Sequence, residues 1–188
     1  MARTPDISRQ TASVPPDAFV CLDDFHRRTA IALVRLAALM TNLLHGETQA
    51  GTRDLAWQVI EHFSVPARQH HQDEERYVFP PLIDGGDPET VQAVLRLQQD
   101  HGWLEEDWME LAPHLAAVAS GQGWYDLDLL REGANVFIAL SYDHIALEES
   151  LIYPQARALL GARERSEMDR AMADRRSKRN RSQGPARK

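Results

Sequence analysis

Cysteine is almost absent from this chain of 188 residues, since Cys21 is the only one. A single thiol cannot form an internal disulfide, and it excludes zinc ribbons, cysteine-ligated iron–sulfur sites and CxxC redox motifs. The sequence also lacks any run of about 18 apolar residues, so no segment is predicted to span a membrane. Its first residues have no apolar core of the kind that a signal peptide needs, and we therefore expect a cytoplasmic protein.

Alternating strand patterns are absent as well, whereas apolar residues recur at helical spacing through most of the chain. The spacing predicts four long helices, with a kink at Pro66 in the second, over 19–44, 52–79, 87–120 and 126–160. Their expected N-caps are Asp17, Asp87 and Asp126, and their expected breaks are Gly46, the Pro80–Pro81 pair and Gly121. Four helices with short connections predict an all-α fold, an antiparallel up-and-down four-helix bundle.

Charge is divided unevenly along the chain. Residues 161–188 carry ten basic and four acidic side chains, a net charge of +6. Because the whole chain has a net charge of −7, residues 1–160 carry −13. The acidic body argues against binding to nucleic acid. We expect a flexible N-terminus over 1–16, the bundle over 17–160, and a basic, disordered tail over 161–188, within which 163–177 can form a short helix.

Histidines and acidic residues repeat in the two halves of the predicted bundle. A lone histidine, His26 or His101, precedes an HxxxE motif by 44 residues in the first half and 43 in the second. The two motifs are His70-x-x-x-Glu74-Glu75-x-x-x-Phe79-Pro80 and His144-x-x-x-Glu148-Glu149-x-x-x-Tyr153-Pro154. Two helical hairpins of the same design are therefore expected to face each other.

Residues four apart on a helix share a face, with Cβ atoms roughly 5–6 Å apart, and apolar neighbours turn these faces inward. Buried charges of this kind are tolerated when they are paired or bound to metal, and imidazole with carboxylate suits iron, manganese or zinc. Six groups favour two metals, with Glu74 and Glu148 as bridges. The predicted ligands are His26, His70, Glu74, His101, His144 and Glu148. A single zinc would leave two groups unexplained, and the Glu-x-x-His motif of ferritin-like sites is missing.

The pattern H…HxxxE…H…HxxxE resembles the hemerythrin-like (HHE cation-binding) family over residues 17–160. The resemblance rests on His26, the run HHQDEERYVFP at 70–80, Asp100-His101 and the run HIALEESLIYP at 144–154. The resemblance implies a bundle that holds two iron ions (Fe²⁺/Fe³⁺) with an oxo or hydroxo bridge, and the six residues match the ligands of the family. Oxygen-carrying members have an HxxxH pair on the third helix, whereas here Glu105 follows His101 at that spacing.

Several further residues leave alternatives open. His71 can be a fifth imidazole on the iron of His26 and His70, or a histidine outside the ligand set. Glu75 and Glu149 can form surface ion pairs or contacts behind the ligands. Glu105 can hydrogen-bond a ligand, gate access or stay solvated, and Tyr77 can donate to a bound oxygen species or simply pack.

The sequence therefore predicts a di-iron protein that binds a small oxidant (O2, peroxide or NO) for sensing, storage or detoxification. An enzymatic alternative, peroxide decomposition or reduction of NO or O2, stays open, but no residue in the sequence indicates a path for proton delivery. A second alternative is an iron donor or iron–sulfur repair factor under oxidative or nitrosative stress. A third is a structural bundle with an incidental histidine cluster.

Overall fold

The computed structural model of the protein describes residues 17–182, with side-chain surroundings through residue 175. The predicted N-terminal segment over 1–16 and the end of the predicted tail, 183–188, lie outside the described residues. All regular elements over 17–182 are helical, which confirms the all-α fold. The helices are α1 (Ala18–Leu44), α2 (Ala50–Phe63), α3 (Pro66–Asp73), α4 (Phe79–Gly85), α5 (Pro88–Ala119), α6 (Leu127–Leu147), α7 (Tyr153–Leu159) and α8 (Ala162–Ser182).

The first seven helices form the four rods of the predicted bundle. Helix α1 and helix α5 are rods by themselves, while α2 to α4 make up the second rod and α6 with α7 the fourth. Each rod packs against the next one along the chain, and α1 also packs against α6, which closes the bundle. Short connections force neighbouring rods to run antiparallel.

The predicted helix ends follow from local chemistry. Asp17, Asp87 and Asp126 accept hydrogen bonds from backbone N–H groups in the first turns of α1, α5 and α6, which satisfies donors that the helix cannot pair. Gly46 and Gly121 follow α1 and α5 with φ of 74° and 70°. That left-handed conformation is strained for residues with a Cβ, which is why glycine ends these helices.

The second rod runs further than the sequence predicted, through the proline pair to Gly85. A π turn over Glu74–Val78 comes just before α4, and the Phe79 N–H bonds back five residues to the Glu74 carbonyl. Because Pro80 has no N–H to donate, it is tolerated in the first turn of a new helical segment. The fourth rod repeats this arrangement with a π turn over Glu148–Ile152 ahead of Pro154.

Helix α8 replaces most of the disordered tail that the sequence predicted. Met168 and Met172 lie four residues apart and are buried against the end of the bundle, and the Ala18 N–H donates to Asp169 Oδ1 over 2.6 Å. The sequence predicts disorder over 161–188, whereas the chain is helical over Ala162–Ser182, and the two methionines make only a narrow apolar stripe within this strongly charged stretch. The shorter helix considered for 163–177 lies within α8.

Two apolar cores fill the bundle. One is built around Leu33, Leu36 and Phe137, and the other around Leu22, Leu97 and Tyr153, with α8 against the second. No helix over residues 17–182 has both the length and the apolar composition that crossing a bilayer requires.

Removing the side chain that docks α8 should destabilise the protein. We expect Met168→Ala to lower the free energy of unfolding by about 2–5 kcal/mol, because Met168 is 2% exposed and its loss leaves a cavity. Met109→Ala is the matched control, since Met109 is 68% exposed and its loss should cost no more than about 0.5 kcal/mol. Urea unfolding measures both, and equal midpoints would mean that α8 is not packed on the bundle.

Candidate metal centre

Four imidazoles and two carboxylates meet between the two apolar cores. They are the six residues that the sequence predicted as ligands: His26, His70, Glu74, His101, His144 and Glu148. None is more than 6% exposed, and both glutamates are fully buried. They come from all four rods, so the cluster exists only when the whole bundle is assembled.

Each glutamate points one oxygen at each pair of histidines. Glu74 Oε1 lies 3.1 Å from His70 Nε2, and its Oε2 lies 3.5 Å from His101 Nε2. Glu148 Oε2 lies 3.1 Å from His26 Nε2, and its Oε1 lies 3.2 Å from His144 Nε2. Each carboxylate therefore lies between the two pairs of histidines, with one oxygen toward each pair.

The donor atoms form two overlapping groups suited to metal binding. One group is His26, His70, Glu74 and Glu148, and the other is Glu74, His101, His144 and Glu148, with the donor atoms of each group within 4.8 Å of one another. Within the described part of the chain, His101 Nε2, His144 Nε2 and both oxygens of Glu148 are buried, and although imidazole nitrogens lie 3.1 and 3.2 Å from the Glu148 oxygens, none of these atoms has a partner in hydrogen-bond geometry. Buried polar atoms are rarely left so, and a cation at each group would satisfy them.

Two outer carboxylates hold the histidines from behind. Glu149 Oε1 lies 3.1 Å from His26 Nδ1, and Glu75 Oε1 lies 2.8 Å from His101 Nδ1. Each thus supports a histidine of the other half of the repeat. A proton on Nδ1 that is shared with a carboxylate leaves Nε2 free to bind a metal, the usual arrangement behind metal-bound histidine. Of the two alternatives for these glutamates, the structure shows the contact behind the predicted ligands His26 and His101.

Protons on imidazole balance the charges of the two carboxylates. Burial alone would lower the pKa of His144, but the Glu148 carboxylate beside it, assisted by Asp100, raises that pKa to about 10. Burial is likewise overcome at His26, whose pKa is raised by Glu148 and Glu74. Burial would raise the pKa of Glu74, but His70 and His101 hold it well below its usual range. A metal ion entering this cluster therefore displaces protons from imidazole.

His71 lies beside the other pair of histidines from the one considered in the sequence analysis. Its ring stacks on His101 with centroids 4.0 Å apart and meets His144 edge-on at 5.6 Å. With these two it forms a third group of donor atoms within 4.8 Å. One residue along a helix turns the side chain by about 100°, which carries His71 from the His70 direction across to α5 and α6.

Tyr77 and Glu105 have their own partners outside the six predicted ligands. Tyr77 packs between Arg76 and Arg175, with guanidinium carbons 5.4 and 5.6 Å from the ring centre, and so takes the packing role. Glu105 forms an ion pair with Arg68 near the surface.

The hydroxyl that does reach the cluster belongs to Tyr153, which donates to Glu74 Oε1. Tyr153 follows Glu148 by five residues, the spacing that the π turn brings to one face. The exchange of Phe79 for Tyr153 between the two repeats was the available signal for this residue.

An apolar cavity of about 350 Å³ adjoins the cluster. Its walls include Phe25, Phe63, Leu104, Trp108 and Phe137. His70, His71 and His144 line it as well, and so do Arg68 and Glu105, whose side chains are exposed. The cavity therefore connects the donor atoms with the surface and has ample room for a small ligand.

His62 is a half-buried histidine that belongs to none of the groups of donor atoms. It stacks on Phe25 with centroids 4.9 Å apart, and its Nε2 lies 2.8 Å from Thr29 Oγ1. Burial, with the positive charge of Arg28 nearby, lowers the pKa of His62 to about 4. The ring is therefore neutral in the folded protein at neutral pH.

Comparison with known proteins finds a matching family model and several relatives of similar sequence. The family model described as the hemerythrin HHE cation binding domain matches residues 19–156. An uncharacterized protein of Haemophilus influenzae is 37% identical over 133 residues, which cover 70% of this chain and 73% of that protein. Uncharacterized proteins of Mycobacterium bovis and Mycobacterium tuberculosis are 32% identical over 105 residues, 56% of this chain and 40% of theirs. No solved structure gives a significant match.

The half-buried, neutral His62 should make the metal-free protein sensitive to mild acid. Between the unfolded pKa of 6.5 and the folded pKa of about 4, the unfolded chain binds a proton that the folded one does not. The free energy of unfolding should therefore fall as the pH falls through this window, by at most about 3 kcal/mol from this group. His62→Gln should lose correspondingly less than the wild type between pH values of about 7 and 4.5, as measured by denaturant unfolding. Curves that stay parallel, as expected for the exposed control His45→Gln, would contradict this assignment.

The outer carboxylates should matter for metal affinity. We expect Glu75→Gln and Glu149→Gln each to weaken binding of Zn²⁺, used as a redox-inert probe, by about 10- to 100-fold, because the supported histidine loses its charged partner. Competition with a chelating dye measures the affinity. Glu106→Gln, on an exposed position of α5, should leave it unchanged, and equal affinities for all four proteins would refute the role of Glu75 and Glu149.

Proposed function

We propose that this chain, which belongs to the hemerythrin HHE cation-binding domain family, holds two iron ions in the buried His/Glu cluster and binds a small oxidant there. The oxidant would be O2, NO or peroxide, and the role would be sensing, storage or detoxification. The observation that carries the proposal is that two donor groups share Glu74 and Glu148, which supports two adjacent ions rather than one.

The donor set fits iron in chemistry as well as in number. Imidazole nitrogen with carboxylate oxygen is a ligand combination used for non-haem iron. His26 and His70 would hold one ion and His101 and His144 the other, while the two carboxylates offset charge on both. His71 lies beside the second pair, which supports it as a third imidazole there and makes the two positions different. Two bound irons would supply an open coordination position and one- or two-electron redox chemistry.

The chain around the cluster would admit the ligand and keep bulk water out. The cavity brings apolar walls up to His70, His71 and His144, so a small uncharged molecule can approach without losing strong hydration. The Arg68–Glu105 pair lies where the cavity meets the surface. The outer carboxylates of Glu75 and Glu149 hold two of the imidazoles in place during ligand exchange.

Burial of the ligands favours a resident centre over the iron-donor alternative. An iron-donor protein must release its metal to a partner protein. Here all six predicted ligands are at most 6% exposed and come from four different rods. Releasing the metal would leave two carboxylates in the interior, with only protons to compensate their charge.

The direct test is iron binding under reducing, oxygen-free conditions. The wild type should take up two ferrous ions per chain, and His70→Ala and His144→Ala should each lose at least one, because each removes a ligand from a different position. His45→Ala, an exposed histidine on the connection after α1, should retain two. Metal analysis after desalting measures the stoichiometry.

Ligand binding is then tested by adding NO to the ferrous protein and azide to the oxidised protein, with absorption spectra recorded. Spectral changes in the wild type that are absent from the two ligand variants are expected. Zinc alone, one ion, or no metal after ferrous reconstitution would overturn the proposal. Catalytic turnover of added peroxide above that of free iron would identify an enzyme, and stoichiometric oxidation would identify a binding protein.

A further inference from the structure

Tyr153 is a tyrosine whose hydroxyl lies inside the cluster. The side chain is 1% exposed, and its ring stacks almost parallel on His26 with centroids 5.2 Å apart. Its hydroxyl oxygen lies 3.1 Å from His26 Nε2, and its O–H group donates to Glu74 Oε1. Both of these atoms belong to the donor group of the first metal position.

The spacing of Tyr153 Oη is that of a donor atom in the same group. His26 Nε2 lies 3.0 Å from His70 Nε2 and 3.1 Å from Glu148 Oε2. Adjacent donors around an octahedral ion with bonds of about 2.1 Å lie about 3 Å apart. The phenol oxygen is therefore placed like the other atoms of the group, and a single N–H on His26 Nε2 cannot satisfy three neighbours at this distance.

We propose that Tyr153 Oη is a further ligand of the metal held by His26 and His70, bound as phenolate when that metal is ferric. The inference rests on the proposed function, because it needs iron in the cluster. On binding, the Oη–H bond breaks, the oxygen lone pair forms the bond to the metal, and the proton leaves to the buffer. No electron is transferred in this step.

Without a metal the same residue is a neutral hydrogen-bond donor. Burial, together with the negative charges of Glu74 and Glu148, raises the pKa of Tyr153 well above its usual value. A bound cation reverses that preference, as it does for coordinated water and thiols. The contact with Glu74 thus positions the hydroxyl in the metal-free protein and is exchanged for coordination when the metal enters.

The other metal position lacks this oxygen. Phe79 occupies the matching place in the first repeat and stacks on His101 with centroids 5.6 Å apart. Beside His101 lies the imidazole of His71 instead. The residue that matches His71 in the second repeat is Ile145. The centre is therefore expected to combine an oxygen-rich and a nitrogen-rich iron.

The experiment uses the full chain, loaded with ferrous iron without oxygen and then oxidised. A phenolate bound to ferric iron gives a visible charge-transfer band, and excitation into that band enhances phenolate ring vibrations in the resonance Raman spectrum. We expect both signals in the wild type and in Tyr77→Phe, the matched control that changes a tyrosine outside the cluster. Tyr153→Phe, which copies the Phe79 side of the repeat, should lose both signals.

The outcomes separate this inference from the proposed function. Two irons in the wild type without phenolate vibrations, or vibrations that persist in Tyr153→Phe, would overturn the role of Tyr153 and leave the di-iron proposal standing. A wild type that binds no iron would overturn both. If Tyr153→Phe does not fold, as judged by circular dichroism, the wild-type Raman spectrum alone decides the question.

Discussion

Two ionised carboxylates lie in the middle of this bundle, and compensation of their buried charge is the constraint on which the rest of the structure depends. A carboxylate in an apolar interior is unstable unless cations or hydrogen-bond donors surround it. Glu74 and Glu148 are fully buried, and imidazoles from all four rods approach their oxygens. The two apolar cores lie on either side of this polar layer and hold the rods at the spacing it requires. The polar layer and the cores therefore depend on each other.

Both halves of the repeat place their buried glutamate with the same local structure. In each half an HxxxE motif leads directly into a π turn, and a proline follows six residues after the glutamate. Because that proline has no N–H, the regular α-helical hydrogen bond to the carbonyl four residues earlier cannot form there. The wider π turn brings the fifth residue after the glutamate onto the same face as the predicted ligands. Each half also sends an outer glutamate to a histidine of the other half, so the two hairpins are held together through the cluster itself.

Within this near-symmetric framework, two exchanges make the halves chemically different. The first repeat has Phe79 where the second has Tyr153, and it has His71 where the second has Ile145. One exchange adds a phenol oxygen beside His26, and the other adds an imidazole beside His101 and His144. The cavity reaches His70, His71 and His144 but is lined by neither Tyr153 nor Phe79. The cavity therefore opens onto the imidazole side of the cluster.

The sequence alone determined the all-α bundle, the helix caps and the six residues that meet in its centre, because helical periodicity and i, i+4 spacing are local properties that survive without tertiary context. It also pointed to bridging glutamates, since a doubled motif demands facing hairpins. Only the tertiary structure decided which pair His71 joins, that Tyr153 rather than Tyr77 reaches the cluster, and that α8 packs on the bundle through Met168 and Met172. Those outcomes depend on the π turns, which shift side-chain directions, and on contacts between segments more than a hundred residues apart, such as Ala18 with Asp169. No local pattern records such contacts.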